Sequence, residues 1–243
     1  MYASPQDNYL LKSLPEEVYA RLLPELEPVQ FFLGQSVYES GNTMEYVYFP
    51  ADCIVSLVHL MNNDTSAEIA IVGFEGVVGI SLFLGGGSAP SRGVVQNAGT
   101  AYRLKASRLN AEFDAGGGFQ KILLCYTQAL IAQMSQTAVC NRHHTLEQQL
   151  CRWVLLSIDR LPTDEMKMTE LLVANMLGIR DGAVSSVAEK LQFARLIQYR
   201  HGNLKVLDRT GLEILVCECY DVVKNEYLRL LPGMENHQRV VPR

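Results

Sequence analysis

Residues 168–206 read MTELLVANMLGIRDGAVSSVAEKLQFARLIQYRHGNLKV, and their order decides the fold. Thr169 is a helix-capping residue in front of a short apolar run, Leu172, Val173, Met176 and Leu177. Gly178 follows, where a helix end favours a residue tolerant of left-handed φ. The spacing predicts a second amphipathic helix from about Asp181 to Ala194, with Val184, Val187, Ala188 and Leu191 as its buried face. Two helices joined by a tight glycine-containing turn make a helix-turn-helix. Ala174 is small enough to let the second helix approach the first. The next residues, LIQYRHGNLKVLD, form two short β runs around Arg200–Asn203. A hairpin directly after a recognition helix is a wing. A helical subdomain that binds protein, or nothing, is the competing reading of the same pattern.

Upstream, TLEQQLCRWVLLSIDRL (145–161) predicts a helix. Thr145 and Gln148 have the spacing of a capping box, and Pro162 stops the helix. The following TDEMK reads as a polar link. Before that, FQKILLCYTQALIAQMSQTAVCNRHH (119–144) contains no Pro or Gly. At ~1.5 Å per residue it would reach ~39 Å. Leu123, Leu130, Met134, Thr137 and Asn141 can share one stripe, which suggests a spine between two domains and a dimer seam. A core helix packed only on its own domain is the other reading of that stripe.

Residues 28–107 have a different character. Short runs rich in Val, Ile, Tyr and Phe, such as YVYFP and AEIAIV, are separated by Gly, Asn, Pro and Asp. This pattern predicts an antiparallel β sandwich or barrel. Residues 8–27 place Leu10, Leu11, Leu14, Val18, Leu22 and Leu26 at helical spacing and predict a helical lead-in.

The chain has 243 residues, of which 48% are hydrophobic and 19% charged, as expected of ordinary globular domains. Residues 1–114 hold thirteen acids and six bases; with −5 for the whole chain, the remainder sits near +2. That modest basic excess permits contact with phosphates. No membrane span is expected and the N-terminus does not read as a secretory signal, so the expected location is cytoplasmic. The six cysteines are scattered and read as buried thiols in a reducing compartment.

From CNRHHTLEQQLCRWVLLSIDRL (140–161) and MTELLVANMLGIRDGAVSSVAEKLQFARLIQYRHGNLKVLDRTGLE (168–213), the chain resembles the CRP/FNR family of bacterial transcription regulators over nearly its whole length. The resemblance implies an α+β architecture: an N-terminal antiparallel β roll of cyclic-nucleotide-binding type, a long dimerisation helix and a C-terminal winged helix-turn-helix. The corresponding boundaries are 1–117, 118–144 and 145–213, with 214–243 as a C-terminal helix and tail. It also implies a homodimer that binds double-stranded DNA and meets RNA polymerase. A module acting through protein contacts, with weakened DNA recognition, is the alternative.

The family's pattern places Arg180, Asp181, Gly182, Ser185 and Ser186 on the exposed side of the recognition helix. Arg180 would reach guanine or phosphate, and Thr169, Lys190, His201 and Asn203 are expected near the DNA backbone. Asp181 and Gly182 stand where relatives commonly carry Arg and Glu, so base readout should be thinner and binding more dependent on phosphates.

In the sensor, the residues matching the family's effector pocket are Gly79, Ile80, Ser91 and Arg92. Ile80 stands where cyclic-nucleotide binders have a ribose-binding Glu, and Ser91-Arg92 reverses their phosphate-binding pair. Cyclic AMP is therefore not expected, and the effector is unassigned. The first cysteine is Cys53, so no N-terminal iron–sulfur cluster is expected, and His59 is the sensor's lone histidine. Cys140 and His144, four apart on a helix, offer two metal ligands with no third in view. Cys217 and Cys219, read as part of one helix, would point to different faces. No metal, cofactor or catalytic group is therefore expected, and an enzyme is disfavoured.

Overall fold

The computed structural model describes residues 3–61, 66–178 and 182–234. The leading segment is not one helix. Pro15 and Pro24 divide it into α1 (Tyr9–Lys12), α2 (Glu16–Leu22) and a 3₁₀ turn (Leu23–Glu25), because proline offers no N–H to extend a preceding turn. The expected apolar residues are nevertheless inside: Leu10, Leu11, Leu14, Leu22 and Leu26 are buried. Buried Asn8 ties this segment down by donating to the carbonyls of Pro50 and Gly76, both at 2.8 Å.

Among the described residues seven strands follow: β1 (Glu27–Phe31), β2 (Ser36–Tyr38), β3 (Tyr46–Pro50), β4 (Ile54–Leu60), β5 (Ser66–Val72), β6 (Arg92–Asn97) and β7 (Gly99–Lys105). They form two antiparallel sheets, ordered β1-β7-β3 and β2-β6-β4-β5. Val47, Phe49, Ile54, Val55, Ile71, Val72, Val95 and Leu104 are buried, as expected of strands that share a core.

After α3 (Ala106–Asp114), α4 runs from Gly117 to His143. Its contact with the N-terminal half depends on a close approach. A Cβ at Gly76 would lie 2.5 Å from the Tyr126 ring, so only glycine lets that turn sit on the helix. The stripe expected to form a dimer seam faces inward. Leu123, Leu130 and Thr137 are buried in the chain's own core, Met134 is half-buried, and Asn141 alone of the five is exposed. The face is taken by β5 and by the C-terminal helix α9 (Cys219–Leu230). Gln133 shows how closely. It accepts from the Ile71 N–H at 3.0 Å and donates to the Ile71 carbonyl and the Tyr227 hydroxyl. The exposed face of α4 carries Leu124, Gln128, Ile131, Ser135 and Ala138, at alternating spacings of three and four.

The second half contains α5 (Leu146–Ile158), β8 (Glu165–Lys167), α6 (Glu170–Leu177), α7 (Ala183–Phe193), β9 (Ile197–Arg200), β10 (Asn203–Val206) and α8 (Arg209–Leu215). The capping box at Thr145 and Gln148 is present. Residues 163–167, read as a link, contribute β8 at the edge of a β8-β10-β9 sheet. α9 does not trail away as a free tail. It returns to α4, and the Tyr9 hydroxyl donates to the Pro232 carbonyl at 2.9 Å. Cys217 precedes α9 rather than lying within it, so the helical argument that separated its thiol from that of Cys219 does not apply. No helix among the described residues is long and apolar enough to cross a membrane.

Candidate nucleic-acid interface and sensor site

Thr169 caps α6: its hydroxyl accepts from the Leu172 N–H at 3.2 Å. Gly178 ends the helix with φ 66°, the left-handed conformation predicted for it. Val173, Ala174 and Met176 are buried, and Met176 joins Val58 and Val94 in a small apolar cluster with Leu172 against it. This cluster seats α6 on the sheet that holds β4 and β6.

Val184, Val187, Ala188 and Leu191 form the buried face of α7 as expected. Gly182 stands at its N-cap with φ 91°, where a side chain would be strained. Ser186 and Lys190 are exposed and Ser185 is half-buried, all on the outer part of the helix. Arg180 and Asp181 lie outside the described residues. The wing is a two-residue hairpin. His201 (φ 49°) and Gly202 (φ 73°) are both left-handed, the signature of the turn whose twist matches paired strands.

The structure brings the wing to the cap of α6. The Met168 N–H donates to the Gly202 carbonyl at 2.9 Å, and a Cβ on Gly202 would meet the Thr169 methyl at 3.4 Å. Asn203 is exposed and already engaged, accepting from Lys167 Nζ at 2.6 Å. Lys167, which the spacing alone did not single out, therefore belongs to this face. Lys205 is paired with Glu165 at 2.8 Å.

In the N-terminal half, Gly79 (φ 106°) opens a short 3₁₀ turn, Ile80–Leu82. Ile80 packs against the core, so no polar group replaces a ribose-binding carboxylate there. Ser91 is buried, with its hydroxyl 3.1 Å from that of Tyr38. The Tyr38 ring lies so close to Gly93 that a Cβ there would be 2.6 Å from it. Burial pushes the Tyr38 phenol up, partly offset by the Ser91 contact. Arg92 Nε stands 3.9 Å from the Glu39 carboxylate, at the edge of ion-pair distance. Ser91 and Arg92 thus already face protein groups, with an aromatic ring beside them.

The N-terminal and C-terminal halves meet through buried polar groups. Arg160 Nε, just past α5, pairs with Glu75 at 2.7 Å, and its Nη1 donates to the Leu156 carbonyl. A second network joins Glu68, Ser56, Gln96 and Ser157, from β5, β4, β6 and α5. Neither was legible as a site, because its members lie far apart in sequence.

No family model matches the chain, and no curated protein matches it either. Solved structures do. FixK2 from Bradyrhizobium japonicum is 16% identical with a TM-score of 0.67, the match covering 79% of this chain and 98% of that one. A putative transcriptional regulator of the CRP/FNR family from Eubacterium rectale is 13% identical with a TM-score of 0.66, over 86% and 98% of the two chains. The CRP-family regulator TTHB099 from Thermus thermophilus is 15% identical with a TM-score of 0.64, over 76% and 95%. The chain is thus similar in fold to CRP/FNR-family transcription regulators over most of its length.

Proposed function

We propose that this chain, which has the CRP/FNR fold, is a DNA-binding transcription regulator that acts as a homodimer and is not switched by cyclic AMP. The outer face of α7 carries the reading. Gly182, Ser186 and Lys190 are exposed there beside a wing whose turn abuts the α6 cap. That arrangement suits a recognition helix in the major groove, with Thr169, Lys167, His201 and Asn203 near phosphates. Short side chains on α7 leave much of the affinity to the backbone. A fluorescence-anisotropy titration with the DNA upstream of the protein's own gene should show binding at low salt that weakens steeply as salt rises. Lys190→Ala should flatten the slope of log K against log salt by about one unit per protomer engaged. Absence of binding at low salt overturns the reading.

Phe193, 92% exposed at the end of α7, favours a second reading in which this face meets protein. Binding to the upstream DNA no tighter than to random duplex would support it.

The homodimer is supported by the heptad-like stripe on the exposed face of α4, with Leu124 at 45% and Ile131 at 54% exposure. Sedimentation should give twice the 27.1 kDa chain mass for the natural protein. Ile131→Glu should give the chain mass, and a dimer that survives the substitution rules this seam out.

A further inference from the structure

Cys140, in the last turn of α4, and His144, its C-cap, meet Cys217 and Cys219 from the corner between α8 and α9. Their four ligand atoms all lie within 4.8 Å of one another. Cys140 Sγ is 3.6 Å from Cys217 Sγ, and Cys219 Sγ is 3.4 Å from His144 Nδ1. We propose that these residues form a Cys₃His site for one structural zinc ion, which ties the C-terminal end of α4 to the α8–α9 corner.

The dimensions fit that ion. Tetrahedral zinc with ordinary Zn–S and Zn–N lengths sets ligand sulfurs about 3.8 Å apart and sulfur and nitrogen about 3.5 Å apart. The donor set suits it too, since three thiolates and an imidazole favour a soft, tetrahedral centre over a hard cation that seeks oxygen. All three cysteines are buried, so the site is closed in the way structural zinc sites are.

A second observation concerns the histidine. Its Nε2 stands 3.3 Å from the Glu218 carboxylate. With the proton held on Nε2, Nδ1 keeps its lone pair toward the thiol cluster. A carboxylate behind a ligating imidazole is the usual outer partner in zinc sites. Gln136 Nε2 also donates to Cys219 Sγ at 3.1 Å, as suits a sulfur carrying negative charge. The ligands come from segments more than seventy residues apart, and helical spacing pairs only Cys140 with His144.

The full-length untagged protein, purified without chelator, should contain one zinc per chain by elemental analysis. After zinc removal under reducing conditions, cobalt should restore the visible bands of a tetrahedral thiolate-bound ion. The doubly substituted Cys217→Ser, Cys219→Ser chain should lose both signals. Should it fail to fold, Glu218→Gln serves as the second variant, since Glu218 is 74% exposed at the side chain. It should retain the cobalt bands while binding zinc roughly 10- to 100-fold more weakly in competition with a chromophoric chelator. A metal-free protein whose three cysteines here are reactive or disulfide-linked, iron in place of zinc, cobalt bands that persist without Cys217 and Cys219, or unchanged zinc affinity in Glu218→Gln, would each overturn the assignment.

Discussion

Arg160→Met is expected to lower the unfolding free energy by about 3–5 kcal/mol, because it strands a buried carboxylate. Glu75 and Arg160 have side chains only 2% and 6% exposed. The guanidinium also donates to the Leu156 carbonyl at 2.8 Å and lies over the Tyr227 ring at 5.4 Å from its centre. Without it, Glu75 Oε1 keeps only the Gly73 N–H, at 3.3 Å, and Oε2 has no hydrogen-bond partner. The expected fall in Tm is roughly 6–20 °C for a chain of this size. Glu75→Leu alone should be damaging as well, since it leaves the cation buried. The double variant Glu75→Leu, Arg160→Met should recover much of the loss, because a buried ion pair replaced by apolar groups of similar volume is often tolerated. Urea titrations of the four proteins close the cycle. Additive losses, within about 0.5 kcal/mol, would mean that the two side chains do not stabilise the junction as a pair.

The helix-turn-helix was legible because its signals are local. A cap at Thr169, a left-handed glycine at Gly178, a 3.6-residue apolar period on α7 and a His-Gly turn all act within a few residues of themselves. The N-terminal strands were legible as a class for the same reason. The long helix was legible in extent and misleading in orientation. Leu123, Leu130 and Thr137 make a stripe, but a stripe does not say which partner covers it. Here β5 and α9 do, leaving the thinner row from Leu124 through Ala138 outward. β8 is three residues long, too short for alternation to register. Cys217 escaped because the start of α9 decides where its thiol points, and helix ends are the least legible part of a periodic pattern. The buried groups between the two halves depend on tertiary contact alone.

Glu68→Gln is expected to change how stability depends on pH more than it changes stability itself. Burial pushes the Glu68 carboxyl up to about 7, against the opposing pull of Ser56, Arg152 and Arg160. Below about pH 4.5 the group is neutral whether the chain is folded or not. As pH rises from there to 7, the unfolded chain ionises first, so the contribution from a neutral, buried Glu68 is progressively lost. Above 7 both states are charged and the loss is complete. Two and a half units correspond to on the order of 3 kcal/mol. The wild-type stability minus that of Glu68→Gln should therefore fall by that amount between pH 5 and pH 8 in matched urea titrations. Parallel profiles would mean that Glu68 titrates alike in both states. Burial outweighs the hydrogen bond that favours the charged form, donated by the Ser56 hydroxyl. Ser56 Oγ has one proton and faces both Glu68 Oε2, at 2.5 Å, and Gln96 Oε1, at 2.9 Å. Gln96 Nε2 in turn donates to Ser157 Oγ on α5 at 2.8 Å, so Glu68 is joined to α5 through Ser56 and Gln96. Ionisation puts a negative charge at the head of that chain, at the seam where the N-terminal sheet grips α5. The same carboxyl that weakens the fold as pH rises is therefore placed where the N-terminal strands hold α5.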